Sequence, residues 1–256
     1  MQRKPVKINL AVYPAAVRSF LCGGDLYDSS SSPDATVLFV NRGDGFFVKS
    51  AAAGALANEA AMTRYMCRLG LGATVLAYVT EKRDWLVTRK VRGHDCTFQR
   101  YIERPEQLCD TLAQILRQLH NLDGAACPIQ NHTQRYLEAA AKNYRARHFD
   151  AQFGYDTAAQ AWDVVRQYGH TLETRTLLHG DFCLPNVVLD DWRLGGLIDV
   201  GNGGIGDRHV DLFWALWSLR RNLQTDAYRR RFIDAYGRSD VDEERLRIVS
   251  AVEAFG

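Results

Sequence analysis

The sequence has no long apolar run and no paired cysteine motif. None of its apolar stretches approaches the ~20 residues that span a bilayer, and residues 1–5 are not followed by the apolar core of a secretory signal. Its six cysteines include no Cys-x-x-Cys pair, which argues against a zinc or disulfide framework. These absences predict a cytoplasmic protein with reduced thiols and no membrane partner.

A large excess of one charge is also missing. The chain has 32 lysines and arginines against 30 aspartates and glutamates, a formal net charge of +2, so it offers no broad basic field to nucleic acid. Its 256 residues, 46% hydrophobic and 24% charged, can bury a substantial core in one two-lobed unit or in two small domains. The composition therefore agrees with a catalytic domain that has no nucleic-acid partner.

Two closely spaced segments place polar residues in an apolar setting. Residues 179–186 read His-Gly-Asp-Phe-Cys-Leu-Pro-Asn, and residues 197–201 read Leu-Ile-Asp-Val-Gly. Asp181, followed by Asn186 and then by Asp199 in an apolar strand, matches the arrangement that phosphoryl transfer from a Mg-nucleotide requires. Any one of them alone could be a turn or strand-end residue, but the full set predicts a kinase.

Each polar group of this set has a role in that reaction. A hydroxyl that attacks a γ-phosphate needs a carboxylate to orient it and accept its proton, and Asp181 fits that role. Asn186 and Asp199 would supply oxygens to Mg²⁺, which prefers one or two protein oxygens together with phosphates and water. We therefore predict Asp181 as the catalytic residue and the other two as metal ligands.

The same reaction requires a cation on the nucleotide phosphates. Lys49 ends the apolar residues 46–49, and ten residues later Glu59 lies in an Ala-rich segment that predicts a helix over 51–69. A surface Lys and a surface Glu are the commonest fate of such residues. The order Lys, Glu, Asp, Asn, Asp nevertheless follows the mechanism, so we predict that Glu59 holds Lys49 on the phosphates.

These motifs make the chain similar to the aminoglycoside phosphotransferases, the antibiotic-modifying branch of the protein-kinase-like fold. Residues 179–181 have the His-Gly-Asp form of that branch, and residues 198–201 stand where protein kinases have Asp-Phe-Gly. The similarity is strongest to the aminoglycoside 3'-phosphotransferases and runs from about Asp25 to the C-terminus. It implies ATP and Mg²⁺ as cofactors, an aminoglycoside as acceptor, and antibiotic resistance as the outcome.

A Gly-x-Gly-x-x-Gly loop over the phosphates is missing. Residues 28–33 instead read Asp-Ser-Ser-Ser-Ser-Pro, between an early strand and the apolar residues 35–40. Successive amides and small hydroxyls in such a turn can bind an anion without glycine, and the resembled family uses a Ser-rich loop. A flexible linker is the alternative. The phosphate-binding residues predicted here are Ser29, Ser30, Ser31 and Ser32.

The pattern along the chain predicts an α+β, two-lobed protein-kinase-like fold. A small N-terminal antiparallel β lobe with one helix is expected over residues 1–91, and a larger, mainly helical lobe over 92–256. The predicted strands are 37–40, 46–49, 74–80 and 85–90, with the first two joined in a hairpin. The predicted helices beyond 51–69 are 105–120, 134–147, 157–168, 211–222, 225–236 and 243–255.

The connector over residues 88–93 is the predicted hinge between these lobes. By resemblance, its backbone near Lys90 and Val91 hydrogen-bonds the adenine, and Phe47 stacks on that ring. Phe47 could equally be a core residue.

The acceptor side is marked less clearly. Aminoglycosides are polycations, so their site should be lined with carboxylates. By resemblance we predict Asp156, Asp207 and Glu253 as substrate carboxylates, with Phe255 beside the last of them. Each of these acids could instead be a surface charge or a helix cap. Residues 218–222 read Ser-Leu-Arg-Arg-Asn, which is basic where the resembled family tends to be acidic.

Three further residues are expected to have structural roles. His120 ends an amphipathic helix, where a cation complements the helix dipole. Asp211 should accept hydrogen bonds from the backbone of the catalytic segment, and Cys183 should be a small packing residue rather than a nucleophile.

Taken together, the sequence predicts a monomeric, ATP- and Mg-dependent O-phosphotransferase that acts on the 3'-hydroxyl of an aminoglycoside. Another small alcohol or amino sugar, such as a choline-like, homoserine-like or other antibiotic acceptor, is an alternative. A protein kinase is less favoured, because the Asp-Phe-Gly and Ala-Pro-Glu signatures are missing. From a different class, a nucleotide-binding regulator is disfavoured, because every catalytic position holds a competent residue.

Overall fold

A six-stranded antiparallel sheet forms the N-terminal part of the computed structural model, which describes residues 4–31 and 33–256. Its strands are β1 Lys4–Pro5, β2 Asp25–Asp28, β3 Thr36–Asn41, β4 Phe46–Ala52, β5 Val75–Thr80 and β6 Arg83–Arg89, in the order β1-β2-β3-β4-β6-β5. The predicted hairpin is confirmed, because β3 and β4 pair in register with Val37 opposite Lys49.

Helices cover the two faces of this sheet. Helix α1, Ala15–Leu21, buries Val17 and Leu21 against inward-facing residues of β3, β4 and β6. Helix α2, Ala57–Arg68, lies on the side that carries Lys49. The sequence indicated only one helix here and began it at residue 51. That start is wrong, because residues 51 and 52 pair in the sheet with Asp84 and Arg83.

The remaining helices lie C-terminal to the sheet. They are α3 Gln99–Ile102, α4 Pro105–His120, α5 His132–Arg145, α6 Ala158–Tyr168, α7 His209–Leu223, α8 Arg229–Tyr236 and α9 Glu243–Glu253. The six helices predicted in this region are confirmed, with ends that differ by a few residues. The apolar face of helix α4 shares one core with Met62 and Met66 of α2. The helical part therefore packs directly against α2.

Five short strands frame the two motif segments. They are β7 His94–Asp95, β8 Thr176–Leu178, β9 Val187–Asp190, β10 Arg193–Leu197 and β11 Gly204–Gly206. They form one sheet in the order β10-β9-β7 and a second pair, β11-β8. The strands hold residues 179–186 and 198–203 as two adjacent loops, and the α+β two-lobed fold is as predicted. No helix within the described ranges is both long and apolar enough to cross a membrane.

Candidate functional site

The first motif loop joins β8 to β9 and fixes the orientation of Asn186. The Asn186 Nδ2 donates to Asp181 Oδ2 at 2.8 Å and to the Asp181 carbonyl at 3.0 Å. Both partners are acceptors, so the amide nitrogen must face Asp181. The Asn186 Oδ1 therefore points away from Asp181 and is free to bind a cation.

A buried histidine ties this loop to the second motif segment. The Asp181 amide donates to His179 Nδ1 at 3.2 Å, and His179 Nε2 lies 3.0 Å from the Ile198 carbonyl. An acceptor at Nδ1 and a donor at Nε2 describe a neutral imidazole with its proton on Nε2. Gly180 has φ +87°, and a Cβ there would lie 2.0 Å from the Asn202 carbonyl oxygen. The two loops can therefore approach this closely only with glycine at position 180.

Asp211, on helix α7, holds the same loop through its backbone amides. It is fully buried, and its carboxylate accepts from the amides of His179 at 2.8 Å and Gly180 at 2.7 Å. The Nε2 of His120 lies 3.0 Å from the same carboxylate. Burial raises the pKa of Asp211, but the hydrogen bonds outweigh it and leave the pKa below its ordinary value. The predicted structural role of Asp211 is confirmed. His120 also has a structural role, but not as the cation expected at a helix end, because burial lowers the pKa of its imidazole.

Three charged side chains from distant segments meet on the nucleotide side. The Lys49 Nζ lies 2.7 Å from Glu59 Oε2 and 2.8 Å from Asp199 Oδ1. Burial lowers the pKa of Lys49, but Asp199 and Glu59 outweigh it and raise the pKa above its ordinary value. Burial raises the pKa of Glu59. The structure thus brings together Lys49 and Glu59 as the sequence predicted, and it adds Asp199 to them.

The backbone around Asp199 leaves its carboxylate accessible. Asp199 has φ +58°, a left-handed conformation that Asp tolerates better than most residues, and 48% of its side chain is exposed. The Ile198 amide donates to the Asn186 carbonyl at 3.0 Å, which places Asn186 next to Asp199. One carboxylate and one amide oxygen from two adjacent loops form a donor set that suits Mg²⁺.

The Ser-rich loop lies beside β3, whose Val37 pairs with Lys49 of β4. The Ser29 amide donates to the Val37 carbonyl at 2.8 Å, the Ser30 amide donates to Asp28 Oδ1 at 2.9 Å, and Ser30 Oγ accepts from the Val37 amide at 2.9 Å. Two of the amides expected to bind phosphate are therefore used inside the loop. The hydroxyl groups and the exposed Ser31 remain for that role, while Ser32 lies outside the described residues.

The connector after β6 offers fewer groups to an adenine than expected. The Lys90 amide donates to the Gly45 carbonyl at 3.0 Å, which removes this donor. Within residues 4–31 and 33–256, the Lys90 carbonyl and the backbone groups of Val91 have no backbone partner. Phe47 is half-buried and lies two residues before Lys49 on the same face of β4. Adenine binding by these groups stays a prediction.

Two of the four predicted acceptor residues are corrected by the structure. Asp207 is 1% exposed and accepts from the Glu173 amide, the His209 amide and Arg245 at 2.8 to 3.0 Å. Burial raises its pKa, but hydrogen bonds from the His209 side chain and from the amides of Glu173 and His209 prevail and lower it to about 2. Phe255 is buried among three aromatic rings of the helical core, Tyr144, Phe149 and Trp162. Neither side chain can reach an acceptor substrate, because other groups of the protein already cover both of them.

Glu253 and Asp156 differ sharply in environment. Glu253 is 7% exposed, and its Oε1 accepts from the Tyr136 hydroxyl at 2.8 Å and from Trp214 Nε1 at 2.9 Å. Burial, the largest influence, raises the pKa of Glu253 to about 7, with a further rise from the charge of Asp181, although the two donors lower it. Asp156 is exposed. Glu253 thus lies within the electrostatic reach of the catalytic loop, whereas Asp156 is a surface charge.

Sequence reasoning did not identify the residues that hold Glu253. Trp214 follows Asp211 by three positions in α7, so the two share a helix face, and that spacing could have pointed to it. Trp214 also contacts Phe153, Phe213 and Trp217 at ring distances of 5.4 to 5.9 Å. Tyr136 lies 117 positions from Glu253 and no local pattern marks it.

Comparisons with known proteins agree with this geometry. A family model described as a phosphotransferase enzyme family matches residues 29–249. A probable aminoglycoside 3'-phosphotransferase from Lactococcus lactis is 41% identical over 258 positions, covering 99% of this chain and 98% of that protein. The crystal structure of an aminoglycoside-3'-phosphotransferase of type VIII superimposes with a TM-score of 0.78 at 26% identity, covering 94% of this chain and 97% of that one.

A more distant structure supports the fold alone. An aminoglycoside phosphotransferase from Streptomyces rimosus, solved in complex with ADP and streptomycin, has a TM-score of 0.77 at 21% identity and covers 97% of this chain and 99% of that one. The family match over residues 29–249 and the full-length relative decide the family. This chain belongs to the phosphotransferase enzyme family, and it is a phosphotransferase similar to the aminoglycoside 3'-phosphotransferases.

Proposed function

We propose that the protein transfers the γ-phosphate of ATP to the 3'-hydroxyl of an aminoglycoside and so confers resistance. The observation that carries this proposal is the meeting of Lys49, Glu59 and Asp199 beside the Asp181–Asn186 loop. The full-length relative from Lactococcus lactis supports the choice of acceptor. The same relative supports the 3' position, which the site geometry by itself does not define.

Some of the site residues would orient the acceptor hydroxyl, and others would neutralise the phosphate charge. Asp181 orients the acceptor hydroxyl and takes its proton at a side-chain oxygen, while the other contacts of this loop keep the carboxylate in place. Lys49, held by Glu59, would neutralise phosphate charge, and Asn186 Oδ1 with Asp199 would hold Mg²⁺. Bound Mg-ATP supplies an electrophilic phosphorus, because Mg²⁺ partly neutralises the negative charge of the phosphate oxygens around it.

The nucleotide would lie between the sheet and the helical part. We place the boundary at residues 91 and 92, with the connector 88–93 against the adenine, Phe47 against its face and the serine loop over the phosphates. Reduced cysteines and the absence of paired motifs support a cytoplasmic location, and we assign the chain as a monomer.

Acceptor recognition would use Glu253 and the aromatic rings around it. The Glu253 Oε1 is occupied by two donors, while its Oε2 has no hydrogen-bond partner in the described part of the chain. That oxygen can pair with an ammonium group of the acceptor. Asp156, at the surface, would add only long-range attraction.

One observation favours a different acceptor of the same reaction. Helix α7 exposes Arg220 and Arg221 on the helix that also carries Trp214, and like charges repel a polycation. A small alcohol or amino sugar with fewer positive charges, such as a choline-like or homoserine-like compound, is therefore the second candidate.

A coupled ADP-release assay with Mg-ATP tests this proposal. The panel should contain aminoglycosides with and without a 3'-hydroxyl, together with choline and homoserine. Turnover confined to aminoglycosides that bear the 3'-hydroxyl is the expected result. Silence with every aminoglycoside, while Mg-ATP still binds by calorimetry, would reject the acceptor and leave the second candidate.

A further inference from the structure

Asp84 is a charged residue with no exposed surface in the middle of the N-terminal part. It lies on β6 opposite Ala51 of β4 and Thr80 of β5, and 0% of it is accessible. A buried carboxylate without compensation is very unfavourable, so its partners indicate what it does. None of the motifs found in the sequence includes it.

The partners of Asp84 are at the start of α2. Its Oδ2 accepts from the Leu56 amide at 2.9 Å and from the Tyr78 hydroxyl at 3.1 Å. Burial raises the pKa of Asp84, but the nearby backbone amides of Gly54 and Leu56 and the hydroxyls of Thr80 and Tyr78 lower it below its ordinary value. The group is therefore a carboxylate at neutral pH. Within the described residues, its Oδ1 has no hydrogen-bond partner.

This carboxylate caps the N-terminus of α2, which no side chain of the local sequence does. Leu56 occupies the N-cap position and its side chain makes no capping hydrogen bond, because it has no polar atom. An acid held at a helix N-terminus satisfies unpaired amides and complements the helix dipole. Asp84 thus acts as a cap supplied by a neighbouring strand.

The capped turn lies on the chain segment that joins Lys49 to Glu59. Lys49 lies three residues before the end of β4, and Glu59 is the third residue of α2. The turn over residues 53–56 joins the two elements, and Asp84 fixes the end of that turn to the sheet. The distance from Lys49 Nζ to Glu59 Oε2, 2.7 Å, depends on where α2 begins.

We propose that Asp84 is a positioning residue for the nucleotide site, acting through Glu59 on Lys49. This inference rests on the proposed role of these two residues in binding Mg-ATP. Loss of the carboxylate frees the first turn of α2, Glu59 moves away from Lys49, and the phosphates lose a fixed cation. The acceptor side, built from α5, α7 and α9, is not affected.

The test measures Mg-ATP affinity by calorimetry and KM by steady-state kinetics in Asp84→Ala, Asp84→Asn and Tyr78→Phe. Asp84→Ala should weaken Mg-ATP about tenfold, the scale on which loss of a supporting partner loosens a site. The effect should fall in the order Asp84→Ala, Asp84→Asn, Tyr78→Phe, because Asn keeps an acceptor oxygen and Phe removes only one donor. The KM of the acceptor should stay within about twofold, since the proposed acceptor side does not include α2.

If Asp84 had only a structural role, the effect of its loss on Mg-ATP affinity would not depend on Glu59. In a Glu59→Ala background, Asp84→Ala should have little further effect on Mg-ATP affinity. Equal effects of Asp84→Ala in both backgrounds would overturn the proposal. If Asp84→Ala does not fold, the same comparison with Asp84→Asn decides.

Asp242→Ala is the matched control. Asp242 caps α9 by accepting from the amides of Glu244 at 2.9 Å and Arg245 at 3.4 Å, so its loss removes the same kind of interaction far from α2. It should lower the urea midpoint of unfolding, as loss of a helix cap does, with unchanged Mg-ATP affinity. A comparable loss of Mg-ATP affinity in this variant would contradict the assignment to Asp84.

The calorimetric measurement does not depend on the acceptor. If the wild-type protein phosphorylates no aminoglycoside, the proposed acceptor fails while the Asp84 comparison still stands on Mg-ATP binding. If the wild type turns over and the Asp84 variants bind Mg-ATP normally, the inference fails and the proposed function remains.

Discussion

The nucleotide side and the acceptor side of this site are built in different ways. On the nucleotide side, Lys49 contacts two carboxylates within 2.8 Å, and each of these comes from a different element. On the acceptor side, one carboxylate is buried by aromatic rings and another is exposed on the surface. Phosphoryl transfer tolerates only one arrangement of charge, whereas an acceptor can be held by several.

This contrast has an energetic basis. Lys49 and Glu59 are 21% and 13% exposed, and Lys49 contacts two carboxylates at once, so the residues around Lys49 leave little room for change. An exposed charge is screened by solvent and contributes little. The four predictions below test whether the two sides differ as much in function as they do in structure.

Removal of the catalytic carboxylate should have the largest effect. Asp181→Ala should lower kcat by about 10²- to 10⁴-fold, the usual contribution of a positioned general base, while Mg-ATP binding measured by calorimetry is retained. Cys183→Ala is the control: burial raises the pKa of this thiol, so it is not a thiolate and its loss should leave kcat near wild type. A near-wild-type rate in Asp181→Ala would remove Asp181 from its role.

Asp199→Asn should act on nucleotide binding itself. It removes one charge from the metal site and one partner from Lys49, so Mg-ATP affinity should fall by about 10- to 100-fold. Asp191→Asn is a matched control, because Asp191 also has a positive φ, +50°, and pairs with Arg100 on the surface. Unchanged affinity across a Mg²⁺ titration of Asp199→Asn would contradict the ligand assignment.

Glu253→Gln should change how stability depends on pH. The folded-state pKa of about 7 lies above the ordinary 4.5, so the stability that this group contributes is complete below about pH 4.5 and is lost as pH rises through 7. Gln mimics the protonated form. The variant should therefore match the wild type near pH 4.5 and exceed it at pH 8 by on the order of 3 kcal/mol.

Urea unfolding at the two pH values measures this difference. Glu244→Gln, on the exposed part of the same helix, is the control measured at the same two pH values. A constant difference between wild type and Glu253→Gln at both pH values would mean that Glu253 is ionised throughout the range.

Asp156→Asn should have the smallest effect. Because Asp156 is exposed, the KM of a cationic acceptor should rise by less than about threefold, and the rise should disappear at high salt. A tenfold or salt-independent rise would place Asp156 in direct contact with the acceptor and make the two sides more alike than their structures indicate.

Much of the fold could be predicted, and the failures have identifiable causes. Helix α4 has the predicted bounds, because Pro105 suits a first helical position and the apolar spacing is regular. Helix α1 is seven residues long, too short for a periodic signal. The early part of the alanine run was wrongly assigned to a helix, because strand pairing outweighs helix propensity there.

The site shows the same division. The catalytic loop, the second motif loop and the role of Asp211 could be predicted, since these residues are closely spaced or lie at a helix end. Asp207 and Phe255 were assigned wrongly to the acceptor site. Nothing in their local sequence shows that one is saturated by Arg245 and two amides and that the other is packed among aromatic rings.

The sequence by itself determined which chemical groups this protein has and their order along the chain, because the five-residue step from Asp181 to Asn186 spans a single loop. The tertiary structure decided which of them meet. Lys49 and Asp199 are 150 positions apart, Tyr136 and Glu253 are 117 apart, and Asp84 reaches α2 from another strand. Such contacts depend on how helices and strands pack against one another, and no local spacing contains that information.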